Sequence, residues 1–395
     1  MVFNKTRNIG DDIQSYVAMK YLPKVDYYID RENIDNFVPD CNEQVAVIMN
    51  GWYIHNTINW PPSPYIKPLP ISMHFTTRDF WNIKEANHLE GYGLEYLKSI
   101  SPIGCRDSHT LELLSEKGVK TEYTGCLTLT LNQFENVKKE DYICAVDVSK
   151  KVLEKIKEKT NLEIKEITHE MPEDYYTVPW NERVRRVEEL LKVYQGAKCV
   201  LTTRLHVALP CIALNTPVLI IHDKYNDDRF KDYLEYIDYC VESDFLNGTY
   251  EYDFTNPPAD KVGHIKVRED LNNRCKNFIK ECEENKEENE MLPDINFYSK
   301  YVINKSNWLK GIALKIDEKN KNLDDMLLKL KEDIVEKNNI INILKNEVEN
   351  VNIKLYEKLI ELDNTKYNLS HIETSKAWRI CKKLYRLRDN IVGNK

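Results

Sequence analysis

The stretch Gly196–Ile221, GAKCVLTTRLHVALPCIALNTPVLII, restricts the possible fold more than any other part of the chain. Cys199–Leu201 is a short apolar run suited to a buried parallel strand, and Thr202-Thr203 end it where a helix is expected to be capped. Asn215-Thr216-Pro217 stops that helix, and Val218–Ile221 reads as the next strand. Arg204 and His206 fall at the mouth of the strand-to-helix turn. In open α/β sheets ligands bind beyond the carboxyl ends of strands, and the N–H groups of a helix N-terminus favour an anion there. An arginine and a histidine at that place suit a phosphate or a carboxylate. Read locally, Arg204 can equally cover a helix end and His206 can equally pack as a half-buried histidine.

The same alternation extends along the chain. Tyr142–Val148 (strand), Val152–Lys159 (helix), Leu162–Ile167 (strand), the loop His169–Pro179 and the helix Asn181–Tyr194 lead into the central stretch. Upstream, Lys5–Leu22 reads as a glycine-containing loop entering a helix capped by Asp11 or Asp12, followed by strands at Val25–Ile29 and Val45–Asn50. A loop with five prolines, Trp60–Pro70, precedes the strand Ile71–Phe75, which carries His74. Pro102–Asp107 is a second strand-to-helix turn, with Arg106 at the strand's end and Asp107 or Ser108 as cap. There Arg106 either serves a ligand or pairs with Asp107 to brace the turn. Strands alternating with helical patterns predict an α/β fold of two Rossmann-like domains facing a cleft, residues 1–136 and 137–292, with Glu135–Asp141 as the linker.

A chain of 395 residues with 42% hydrophobic content can supply the cores of two domains. A formal net charge of -8 argues against a nucleic-acid binder. The N-terminus lacks an apolar signal-like region, and no run approaches the roughly 18 apolar residues of a spanning helix, so the expected location is cytoplasmic. The 10 cysteines are scattered without metal-ligand spacing, which predicts core thiols in a reducing compartment and no metal.

From Leu323 the apolar positions fall into heptads. Leu327, Ile334, Ile341, Val348, Leu355 and Leu362 form one line, and Leu323, Leu330, Leu344 and Val351 a second, which Lys337 and Lys358 interrupt. This pattern predicts a linker and coiled coil over residues 293–370 and a parallel homodimer. Residues 371–395 form a basic amphipathic tail. Ala377, Ile380, Cys381, Leu384, Leu387 and Ile391 share a helical face flanked by six basic residues from Lys376 to Arg388. Such a tail either attaches to an anionic membrane surface or ends a dimer helix.

Several ordered elements resemble the polysaccharide pyruvyl transferase family: Asn8-Ile9-Gly10-Asp11, Asn50-Gly51-Trp52, Gly104-Cys105-Arg106-Asp107, Gly125-Cys126-Leu127-Thr128, Thr202-Thr203-Arg204-Leu205-His206 and Asn215-Thr216-Pro217-Val218. The resemblance implies a GT-B-like enzyme that moves the pyruvyl group of phosphoenolpyruvate onto sugar hydroxyls of a cell-surface polysaccharide or its lipid-linked precursor, with no metal or redox cofactor. It implies donor contacts from Arg106, Arg204 and Lys224, and a catalytic role for His206; Asp11, on the loop before the first helix, is expected beside it as a catalytic residue and partner for a sugar hydroxyl. Acceptor contacts are expected from Asn8, Gly10, Asn50, Trp52 and His74, with Trp52 suited to stack on a sugar face. Where family members commonly carry a glycine-rich run, this chain has Met49-Asn50-Gly51-Trp52, so acceptor recognition there is expected to differ. A GT-B glycosyltransferase using a nucleotide sugar and a non-catalytic coiled-coil scaffold are the alternative readings.

Overall fold

The structure, a computed structural model, describes residues 1–40, 43–53, 59–75, 89–222, 230–258, 262–285 and 295–392. It divides into two compact units, Met1–Lys315 and Ile316–Lys395.

The first unit opens on α1 (Ile9–Met19). Two extended segments follow, each interrupted once: β1 (Val45–Ile48) leads into β2 (Gly51–Trp52), and β3 (Ile66–Leu69) into β4 (Met73–His74). β1 pairs with β3 and β2 with β4, both parallel. Hydrogen bonds from Met49 N to Leu69 O (2.9 Å) and from Gly51 N to Ser72 O (3.2 Å) carry the pairing across the interruptions. Gly51 sits at φ 120°, which a side chain at that position would disfavour. β5 (Ile103–Cys105) and β6 (Thr121–Tyr123) complete the parallel order β2-β4-β5-β6, with α2 (Gly91–Ser99) and α3 (Ser108–Glu116) as crossovers. The strand expected at residues 25–29 does not form. The backbone there makes only an isolated bridge, from neighbouring Asp30 to Val2, and no ladder to β1; residues of both segments line a cavity of about 590 Å³.

The second sheet is parallel throughout and has the order β11-β10-β9-β7-β8. Its strands are β7 (Tyr142–Val146), β8 (Glu163–Ile167), β9 (Cys199–Thr202), β10 (Val218–His222) and β11 (Asp238–Val241). α4 (Lys150–Lys159), α5 (Trp180–Gly196) and α6 (Leu205–Ala213) connect the first four, and α7 (Glu242–Asn247) follows the last. β7 and β9 are buried along their whole length, as strands covered by helices on both faces must be. That requirement explains why they read as continuous apolar runs. The chain steps from β7 to β8 on one side and to β9 on the other, so the order reverses between the carboxyl ends of β7 and β9. In such sheets this is where a ligand crevice opens. α8 (Ile265–Glu284), unanticipated from the sequence, adds Leu271 and Cys275 to a core shared with α1, α5 and α6.

α9 (Ile295–Thr374) begins in the first unit, where Ile312 is buried, and continues through the second. Its heptad residues Leu327, Ile334, Ile341, Val348, Leu355 and Leu362 are 46–59% exposed. Ser375 separates it from α10 (Lys376–Val392): its hydroxyl donates back to Ile372 O (2.7 Å) and accepts from Trp378 N (3.1 Å), closing one helix and capping the next. No described helix is long and apolar enough to cross a membrane.

Candidate active site

At the end of β9, Arg204 is the N-cap residue of α6 in extended conformation, and no side chain caps that helix. Thr202, expected at the cap, braces the turn instead: its hydroxyl accepts from Arg204 N at 2.9 Å. The Arg204 guanidinium is held by two carboxylates, with Nε donating to Asp147 Oδ2 (2.9 Å) and Nη2 to Glu170 Oε1 (3.5 Å). Asp147 follows β7 directly and so lies at the order reversal. It has φ 51°, a left-handed conformation that Asp tolerates better than most residues. Its side chain also accepts from the Thr168 hydroxyl (2.7 Å) and His169 N (3.0 Å), while its carbonyl accepts from the Thr203 hydroxyl (3.1 Å). One aspartate thus ties together the loops after β7, β8 and β9.

α1 starts against this turn. Its cap is Asn8, whose Oδ1 accepts from Gly10 N (3.0 Å), and not Asp11 or Asp12, which lie in the first turn. The N-terminal position goes to Asn8 because its extended backbone turns the amide back onto the orphan N–H groups. A Cβ on Gly10 would stand 3.1 Å from His206 Cβ, so glycine here permits the close approach of α1 to α6. His206 Nδ1 lies 3.5 Å from Gln14 Nε2. Asp11 accepts from the Thr6 hydroxyl (2.7 Å) and Gln14 Nε2 (3.3 Å) and faces Arg31 Nη1 at 3.8 Å.

Arg106 comes from the turn after β5. Asp107 caps α3 through Thr110 N (2.8 Å), and its other oxygen accepts from His74 Nδ1 (2.5 Å) and faces Arg106 Nε at 3.6 Å. Burial alone would raise the Asp107 carboxyl, but the His74 hydrogen bond and the charges of His74 and Arg106 hold it well below the usual carboxylate range. Tyr233 OH donates to Arg106 O (2.6 Å). Arg106 therefore does pair with Asp107 and brace the turn. Even so, it is only 3% exposed, and its Nη1 has no hydrogen-bond partner among the described residues. A buried guanidinium with an unanswered N–H is costly unless a ligand completes it.

These elements enclose a cavity of about 800 Å³ lined by Asn8, Asp11, Trp52, Arg106, Arg204 and His206 among others. His169 also lines it, donating to or accepting from Tyr194 OH at 2.8 Å; burial pushes its pKa down to about 4, so it is neutral at pH 7. Gly10, Asn50 and His74 do not reach the lining. Gly10 lies beneath His206, Asn50 is buried with Nδ2 donating to Gln14 O (3.0 Å), and His74 is buried with its ring 6.0 Å from that of Trp52. Lys224 lies outside the described residues. Asp147, His169 and Glu170 were not anticipated. The one sequence signal for Asp147 is an aspartate immediately after a buried strand, at a carboxyl edge. Among the described residues no group of three or more His, Cys, Asp or Glu side chains is placed to hold a metal ion.

A doubly wound parallel sheet with cationic side chains at its carboxyl edge is the layout of an α/β protein suited to an anionic ligand. The model of the polysaccharide pyruvyl transferase family matches residues 8–222, just over half of the chain, and the chain belongs to that family. The matched span contains every described residue discussed here from Asn8 to His206. No individual curated protein matches the chain. Among solved structures there is a weak likeness to the UDP-GlcNAc 2-epimerase of Methanocaldococcus jannaschii in complex with UDP-GlcNAc and UDP, at 14% identity and a TM-score of 0.26. That likeness covers 43% of this chain and 59% of the epimerase, so the chain spans less than two thirds of the epimerase's length.

Proposed function

We propose that the cavity binds phosphoenolpyruvate and transfers its pyruvyl group to two hydroxyls of a cell-surface glycan or its lipid-linked precursor, releasing phosphate. The carrying observation is the buried Arg106 guanidinium, whose Nη1 has no partner among the described residues, in a cavity that Arg204 and His206 share. Phosphoenolpyruvate is anionic at both ends, and two guanidinium groups suit its carboxylate and phosphate. Protonation of its methylene carbon gives an oxocarbenium-like centre at the enol carbon. One sugar hydroxyl adds there and loses its proton. A second hydroxyl then displaces phosphate, and the methylated carbon is left as a ketal carrying the carboxylate. His206 is assigned the proton transfer, since an imidazole titrates nearest neutral pH. In this reading the two parallel sheets are the halves of a GT-B-like cleft, with Asp11 and Trp52 on the acceptor side.

Incubation with phosphoenolpyruvate and candidate glycans, following release of inorganic phosphate, tests the assignment. Release that depends on both reactants is expected. Transfer only from a nucleotide sugar, or no turnover with any donor, would overturn it.

The exposed heptad lines of α9 support a homodimer through a parallel coiled coil. Light scattering is expected to give twice the chain mass for the full protein and the monomer mass after truncation at Lys315, which keeps the buried Ile312. A monomeric full-length chain would remove the coiled coil.

A further inference from the structure

The heptad lines of α9 do not continue into α10. Extended in register, the first line passes through Leu369 to Lys376 and Lys383, and the second through Ile372 to Arg379 and Arg386. Of the five positions in α10 where a dimer seam would need apolar side chains, Lys376, Arg379, Lys383 and Arg386 are basic and Asn390 is polar, so none is apolar. The apolar residues Ala377, Ile380, Cys381 and Leu384 occupy the opposite side of the helix. Ser375 marks the change of phase, ending α9 and capping α10 as a separate helix. The chemistry of α10 is therefore not that of a coiled-coil end.

We propose that α10 is an interfacial helix that lies on an anionic lipid surface. Ile380 and Leu384 are each 59% exposed, and Trp378 and Tyr385 border them at 41% and 57%. Lys382, Lys383, Arg379 and Arg386 occupy the other face, and Asp389 is the single acidic residue of the helix. The Arg388 guanidinium lies 4.8 Å from the Tyr385 ring centre, so its stem follows the aromatic border as a snorkelling side chain does. An apolar stripe edged by aromatic rings and backed by cations matches a headgroup boundary, where the stripe enters the acyl region and the cations meet phosphate. The overall charge of the chain is -8, so attraction to an anionic surface depends on this local excess of cations.

Co-sedimentation of the full-length protein with vesicles tests the proposal, with a vesicle-free spin as control. Phosphatidylglycerol vesicles are expected to pellet the protein at low salt and release it at high salt, while phosphatidylcholine vesicles leave it in solution. Each unit charge near such a surface changes partitioning about fivefold, so Lys382→Glu with Lys383→Glu should lower it by roughly 10²-fold or more. Leu384→Ser should weaken binding while the helix charge stays the same. Equal binding to both lipids, binding untouched by the double charge reversal, or no binding to either vesicle would overturn the proposal. None of these readouts depends on pyruvyl transfer.

Discussion

His206→Ala is expected to lower the rate of pyruvyl transfer by roughly 10²–10⁴, the usual loss for a positioned acid or base, with little change in the concentration of phosphoenolpyruvate needed for half-maximal rate. Arg204→Ala should do the reverse. Loss of a charge-assisted contact to the donor should raise KM about tenfold to a hundredfold while kcat changes less. The contrast follows from position. His206 stands in the first turn of α6 with its Cβ pressed against Gly10 and Nδ1 near Gln14, a fixed ring at the cavity wall. Arg204 is 35% exposed at its side chain and already shares its charge with Asp147 and Glu170. Donor titrations of both variants, followed by phosphate release, separate the effects. Wild-type turnover in His206→Ala would remove the imidazole from the mechanism, and an unchanged KM in Arg204→Ala would remove that guanidinium from the donor site.

The largest stability effect is expected at Arg183. It forms a two-pronged pair with Asp12, Nε to Oδ2 at 3.0 Å and Nη2 to Oδ1, and Nη2 also donates to Phe3 O (3.0 Å). Tyr175 OH completes the Asp12 carboxylate at 2.7 Å. Both charged side chains are 0–2% exposed. The cluster fastens α1 to α5, and α1 supplies Asp11 and Gln14 to the cavity wall. Arg183→Met leaves a buried carboxylate without its counter-charge, and a loss of about 3–5 kcal/mol in urea unfolding is expected. Adding Asp12→Leu should recover much of that loss, because the apolar pair no longer buries a lone charge. A single-variant loss below about 1 kcal/mol would show that the cluster does not hold α1 in place.

The elements legible in the sequence were those written in contiguous residues. The β9–α6–β10 unit, the Arg106–Asp107 turn and the strands at residues 142–146 and 163–167 each combine a local apolar pattern with local stop signals. Residue pairs distant in the chain were not legible. His74 meets Asp107 across 33 positions, and Arg204 meets Asp147 across 57. No local pattern announces that Asp147 adopts a left-handed backbone. The expected strand at residues 25–29 failed for a related reason, since its apolar pattern suits a strand but strand formation also needs a neighbour within hydrogen-bonding distance. Asn50 shows the limit of a motif: it occupies the expected segment, yet its amide is used on the backbone of α1.

Arg106 has a consequence for how long the protein lasts as well as for what it binds. An anion that completes its guanidinium, as proposed above, would link folding to occupancy by mass action. Each tenfold rise of a bound anion above its Kd adds about 1.4 kcal/mol of resistance to unfolding. In the proposed reading an abundant donor would protect the chain from proteases that attack opened molecules, and a scarce one would leave it exposed to them. Under the donor assignment proposed above, the same arginine would also set the lifetime of the enzyme by the donor's supply.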